Sequence, residues 1–170
     1  MQAIEALKPR RSIRSFKNAP VSEAIKKIIL ECAMTAPSAN NLQPWHFVLL
    51  EDKKIRRAIA DFHPYADMLR KAPGAIVVCG DLEIEKEKNY IILDCAAATE
   101  NILLAAHALG LGAVWIGIYP REERMNSLAR LIRLPGHILP VAVVALGYPV
   151  EEKEPVKRYN KNRIHMNKWN

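Results

Sequence analysis

Several of the devices by which a chain announces its chemistry are missing here. Cysteine is scarce: Cys32, Cys79 and Cys95 are three in number, widely spaced, and form no CxxC pair. An odd, scattered set argues against a disulfide or zinc framework and for a reducing, cytoplasmic setting. The five histidines are equally scattered, with no two at metal-ligand spacing along the chain, so no metal is expected. Glycine is scarce too. No GxGxxG follows a strand, and neither GxxxxGK[ST] nor GxSxG occurs, which removes the usual dinucleotide turn, the P-loop and the nucleophile elbow. The GLGAVW stretch follows a helix and enters a strand, the reverse of a dinucleotide-binding turn. No uninterrupted apolar run approaches membrane-span length, and the N-terminus lacks the apolar centre of a signal peptide. Internal repeats, low-complexity tracts and linkers are absent as well, so residues 1–170 read as one domain.

What is present is an uneven distribution of charge. The net charge is +7. Residues 1–17 carry five cations and one carboxylate, residues 151–170 carry six and three, and residues 18–150 carry fourteen of each sign. The body is neutral and the excess lies at the two ends. A general nucleic-acid binder spreads basic residues along a face to meet many phosphates. Two basic ends around a neutral body fit one anionic ligand gripped where they meet, or two solvated tails.

Half of the sequence is hydrophobic, enough for a core. Ser22 reads as the N-cap of a helix whose Ile25, Ile28, Ile29, Cys32 and Ala33 repeat at helical spacing. HFVLL (46–50) reads as a strand, Asp52 caps a helix to about Ala60, and a short helical piece spans Ala66–Lys71. AIVVC (75–79) is a buried strand. The longest element runs from about Asn89 to Leu109, with Gly110 as its stop. It is apolar almost all round and rich in alanine, so it must be covered almost all round, in part by a second subunit. AVWIGI (113–118) is a strand, Pro120–Ile132 a helix, and PVAVVALG (140–147) another buried strand. The class is α+β or α/β, one layer of sheet with helices on it, of unread strand order. Asp94, Glu100 and His107 on the long helix read as hydrogen-bonded interface residues before they read as an acid or base.

Two stretches carry chemistry. In Arg10-Arg11-Ser12-Ile13-Arg14 an extended chain turns Arg10, Ser12 and Arg14 to one side. Forked guanidinium donors beside a hydroxyl suit a phosphate. In Pro37-Ser38-Ala39-Asn40-Asn41-Leu42-Gln43-Pro44-Trp45, small residues and amides let backbone approach a flat polar ligand. The same stretch also reads as a turn-rich connection with Trp45 filling the core.

Together, RRSIRxF, then a helix, then APSAxNxQPWxF resemble the FMN-dependent nitroreductase family. The alanine-rich helix with Asp94, GLGAVWIGI and the basic RYNKNRIHMNKW stretch add to the likeness, which runs from Arg10 to the last residues. The resemblance implies an α+β fold with a central mixed or antiparallel sheet flanked by helices, in an intertwined homodimer. The extension from about 151 to 170 would wrap the partner subunit. It implies FMN as cofactor, NADH or NADPH as reductant, and ping-pong reduction of a nitroaromatic, quinone or similar small acceptor through flavin N5, with neither nucleic acid nor membrane involved. Carried over, Arg10, Arg11 and Ser12 meet the phosphate and ribityl chain, and Arg14 the pyrimidine edge. Pro37, Ser38, Ala39 and Asn41 come from the other subunit, Ile116 and Gly117 bring backbone to N5, and Lys161 and Arg163 complete the phosphate clamp. No protein acid or base is implied at the transfer step. The Asn and Lys that many relatives place before the second strand have no counterpart in Tyr65–Leu69, and no lid insertion is evident. Two other readings are a specialised flavin enzyme on this scaffold, for reductive dehalogenation or flavin fragmentation, and a basic nucleic-acid-binding dimer.

Overall fold

The structure is a computed structural model and describes residues 2–169. A four-stranded sheet forms its middle layer, from β1 (Trp45–Leu50), β2 (Gly74–Asp81), β3 (Gly112–Gly117) and β4 (Ile138–Gly147). The order is β1-β2-β4-β3 and every neighbouring pair is antiparallel. Among the described residues five α-helices accompany it: α1 (Ala3–Leu7), α2 (Glu23–Met34), α3 (Lys53–Phe62), α4 (Lys88–Ala108) and α5 (Glu122–Leu131). The architecture is α+β.

Strand alternation divides the core in two. Ile76, Val78, Ala142 and Val144 face α2 and α4, in a cluster with Ile29, Ile91, Cys95 and Ile102. Val77, Cys79, Val143 and Ala145 face the other way, joining Ile59, Leu69 and Leu128 from the α3 and α5 side. Both faces of β2 and β4 are covered, which is why their sequences run apolar without alternation.

The caps explain where helices start and stop. Ser22 Oγ accepts the Ile25 N–H and Asp52 Oδ1 accepts the Lys54 N–H, as expected from residue type. At the end of α4, the Leu111 N–H reaches the Ala106 carbonyl (2.8 Å) and the Gly110 N–H that of His107 (3.0 Å). Gly110 has φ +77°, so this is a Schellman close, and a side chain at 110 would be strained. By length and composition α4 could cross a membrane. Its packing against α2 and all four strands makes it the core helix of this fold. It runs into β3 through Leu109–Leu111, without the inserted segment that a lid would need.

Two features depart from the sequence expectation. The five-residue α1 was not anticipated. β4 begins at Ile138, so Pro140 lies inside a central strand, where a missing N–H normally disqualifies proline. A register shift between Val78 and Cys79, opposite Pro140, absorbs the defect.

The N-terminal segment completes the sheet's edge. Ser12 bridges Ala113 in parallel, and Phe16 bridges Pro149 antiparallel. Ile13 and Phe16 are buried, which explains the apolar residues set among the cations. Beyond β4 the chain folds back along this strap. Glu151 accepts the N–H groups of Arg14 (2.6 Å) and Ser15 (3.1 Å), and Lys153 donates to the Ser12 carbonyl (2.9 Å).

Candidate flavin-binding site

β3 is an edge strand, and its free side is where the first motif arrives. In an antiparallel strand the N–H and C=O of one residue point to the same side, and alternate residues share that side. Ala113 uses it to accept the Ile13 N–H (3.0 Å). Trp115 and Gly117, two and four residues on, therefore present their backbone groups to the same free edge. A cavity of about 450 Å³ opens there, lined by Arg14, His63, Tyr65, Met68, Gly117 and Arg124 among others.

The Gly117 carbonyl is already occupied. His63 Nδ1 accepts the Tyr65 N–H (3.2 Å), which leaves the ring proton on Nε2. That Nε2–H donates to Gly117 O at 2.9 Å, and Arg124 Nη1 donates to the same oxygen at 3.2 Å. Arg124 also lies 5.8 Å over the Tyr65 ring. Two donors on one carbonyl fix the Gly117–Ile118 peptide, and by the same alternation the Gly117 N–H points to the free side of β3. His63 and Arg124 were not found from sequence: they stand 61 positions apart and meet only at this oxygen. The 65–69 stretch, to which the resemblance assigned nothing, supplies part of the cavity wall.

Cations gather where the first motif meets the C-terminal segment. A second cavity, of about 720 Å³, is lined by Lys8, Arg10, Arg11, Lys157, Arg158 and Tyr159 among others. Among the described residues no carboxylate side chain lines it. Arg10 lies 3.5 Å from Glu100 on α4, and Arg11 donates to the Glu154 carbonyl. The two ends of the chain thus do meet in space. Lys161 and Arg163 occupy a short 3-10 turn, exposed, and line neither cavity. A further cavity of about 460 Å³ near the start of α2 holds Lys26, but that lysine is paired with Glu23 and Glu51, so it offers no anion a free charge.

The second motif lies elsewhere on the subunit. Its backbone is strained: Asn40, Asn41 and Gln43 have φ of 51°, 56° and 52°. Asparagine tolerates this left-handed region better than most residues, and glutamine does so poorly. Local bonds hold it, with the Gln43 N–H on Ser38 Oγ and the Asn41 N–H on the Ser38 carbonyl, both at 3.0 Å. Asp94 Oδ1 accepts the Ala39 N–H at 3.0 Å, while its Oδ2 is buried without a partner. Trp45, next in sequence, fills the core. Asp94 and Glu100 make polar contacts within the subunit, an N–H bond and an ion pair, whereas His107 Nε2 is buried without a partner and so departs from the hydrogen-bonded role expected of it. Burial, and then the nearby Arg10 charge, hold His107 below its ordinary range.

The donor set fits FMN. A planar ring with hydrogen-bonding edges suits the β3 edge beside Arg14, and a phosphate dianion suits the lining of the cationic cavity.

The wider likeness is strong. The sequence profile of the nitroreductase family matches residues 7–63 and 62–148. A protein of Methanothermobacter thermautotrophicus, provisionally named NADH dehydrogenase/NAD(P)H nitroreductase, is 44% identical over 169 residues, covering 99% of this chain and 88% of that one. A crystal structure from Parabacteroides distasonis, provisionally named in the same way, superposes with a TM-score of 0.96 at 38% identity, over 99% of both chains. The FMN-dependent nitroreductase of Clostridium difficile superposes at 0.90 with 29% identity, over 98% of this chain and 99% of that one. This chain belongs to the nitroreductase family.

Proposed function

We propose that this protein is an FMN-dependent NAD(P)H oxidoreductase, working as a homodimer on a nitroaromatic, quinone or similar small acceptor. The observation that carries the reading is the β3 edge: a fixed peptide at Gly117, with Arg14 in the same cavity. When bound, FMN supplies the electron-transfer chemistry, accepting electrons from reduced nicotinamide and releasing them to the acceptor.

The chain's own residues bind and orient. Arg10, Arg11 and Ser12 hold the phosphate and ribityl chain, with Lys161 and Arg163 closing the clamp from the C-terminal segment. Arg14 places a cation at the pyrimidine edge, where it stabilises negative charge developing on the ring. Gly117 offers its N–H to the ring's N5 side, while the backbone of Ile116 beside it faces β4 and keeps the strand in place. Pro37, Ser38, Ala39 and Asn41 pack from the partner subunit, on a loop that Asp94 anchors. One domain spans residues 1–170, and its extension from about 151 wraps the partner.

Dimerisation is supported by what one subunit leaves exposed. On α4, Tyr90 and Leu93 are 49% and 66% exposed. The C-terminal tail shows Tyr159, Met166 and Trp169 at 75% or more. An apolar surface of this kind marks an interaction site.

Steady-state kinetics test the function. With NADH or NADPH and a nitroaromatic or quinone acceptor, the reading predicts parallel double-reciprocal lines, because both substrates use one site in turn. Lines that intersect, or a flavin-loaded protein that reduced none of these acceptors, would overturn it.

A further inference from the structure

The sequence places no two histidines at metal-ligand spacing, but the fold brings two of them to one corner. His46 lies in β1 opposite Cys79, and Asp81 ends β2 two residues on, so both point to one face as diagonal neighbours. His46 Nε2 stands 3.2 Å from Asp81 Oδ2. Asp81 is buried, with only 8% of its surface exposed, and its other oxygen takes the Glu83 N–H at 2.7 Å. Glu83 Oε1 is 3.9 Å from His137 Nδ1, just ahead of β4. One ligand atom each from Asp81, Glu83 and His137 lie within 4.8 Å of one another.

Backbone bonds on both sides hold this corner. The Asp81 N–H reaches the Pro44 carbonyl (2.8 Å) and the Leu82 N–H the His137 carbonyl (2.9 Å). The three chain segments that carry the donors are thus fixed before any ion arrives. Donors of two imidazoles and two carboxylates match a borderline divalent ion with tetrahedral preference; an all-oxygen ion such as Mg²⁺ has no use for the imidazoles. The buried carboxylate, anchored through one oxygen by the Glu83 N–H and bonded through the other to His46, is the natural centre of such a set.

We infer that His46, Asp81, Glu83 and His137 form a binding site for a zinc-class divalent cation. The ion would replace the His46–Asp81 hydrogen bond by two coordinate bonds and clip the start of β1, the end of β2 and the lead-in to β4 together. Its role is structural: none of the four residues lines the cavity at the β3 edge.

Titration of the flavin-loaded protein with Zn²⁺ followed by calorimetry tests the site. The expected result is one saturable site per chain with micromolar Kd and no heat from Mg²⁺. Melting should rise by roughly 5 °C at saturating Zn²⁺. His46→Ala and His137→Ala change side chains that are already solvent-facing. Each should weaken Zn²⁺ binding at least about tenfold, as loss of a direct ligand must exceed loss of an outer-shell partner, and should leave melting in EDTA unchanged. Absence of a saturable Zn²⁺ site would overturn the proposal, as would binding that both variants retained in full. Binding lost only when Cys32 is replaced would do the same, since it would place the ion on the half-buried thiol.

Discussion

Two extended segments of this chain carry most of its excess charge, and they behave differently. The strap from Arg10 to Lys17 is part of the fold: it bridges β3, buries Ile13 and Phe16, and is bonded through Glu151 and Lys153. The tail beyond Glu154 buries nothing among the described residues, and its large apolar side chains stand in solvent. The same basic character therefore has two structural meanings. The strap finds its apolar cover within its own subunit, whereas the tail leaves its apolar residues exposed, as the proposed dimer interface requires. Charge counts alone cannot separate these cases; the apolar residues between the charges, and what they meet, do so.

The largest expected effect comes from cutting the difference away. Removing residues 155–170, which spares Glu151 and Lys153 on the strap, should leave far-ultraviolet circular dichroism almost unchanged, because the core lies before that point. It should abolish the dimer and FMN binding together. A truncated chain that still sediments as a flavin-loaded dimer would show that the tail has no wrapping role. Next in size, Arg10→Ala with Arg14→Ala should leave a folded dimer that binds FMN more than about a hundredfold more weakly, since each charge-assisted contact contributes roughly 1.5–3 kcal/mol. Wild-type affinity in an FMN titration would remove the strap from the site.

Strap docking has its own test. A Cβ added at Gly112 would meet Ile13 side-chain atoms at 2.6 Å and 2.7 Å. Gly112→Ala should thus cost about 1–3 kcal/mol in urea unfolding, as overpacking does. Unchanged stability would mean that the strap is not seated on β3. The smallest effect concerns Glu151. The Arg14 N–H chiefly holds its carboxyl below the ordinary 4.5. A carboxylate with a depressed pKa contributes stability that is present above its ordinary value and lost as pH falls through the folded one. Glu151→Gln should accordingly flatten the loss of stability below about pH 4.5. An identical slope in variant and wild type would contradict the bond.

Local chemistry was readable in advance where it was decided locally. Ser22, Asp52 and Gly110 mark helix ends through their own backbone and side-chain preferences, and the apolar runs of β2 and β4 show burial on two faces. Strand order was not readable, because β4 enters between β2 and β3 only once both faces find cover. Pro140, read as the first residue of a strand, lies inside one instead, and the register shift opposite it, which no local pattern shows, is what accommodates it. At the site, the two motifs were legible as motifs. The grip of His63 and Arg124 on Gly117, and the meeting of His46 with Asp81, were not: each joins residues that share no spacing rule.

The central claim is that the two basic ends converge on one flavin phosphate. An absorption spectrum of the purified protein, repeated after FMN addition and gel filtration, tests it most directly. The account predicts flavin bands that travel with a dimer-sized peak and bleach when NADH or NADPH is added without oxygen. A colourless protein that leaves the column free of FMN would contradict it, and a steeply salt-dependent affinity for nucleic acid would then explain the charged ends.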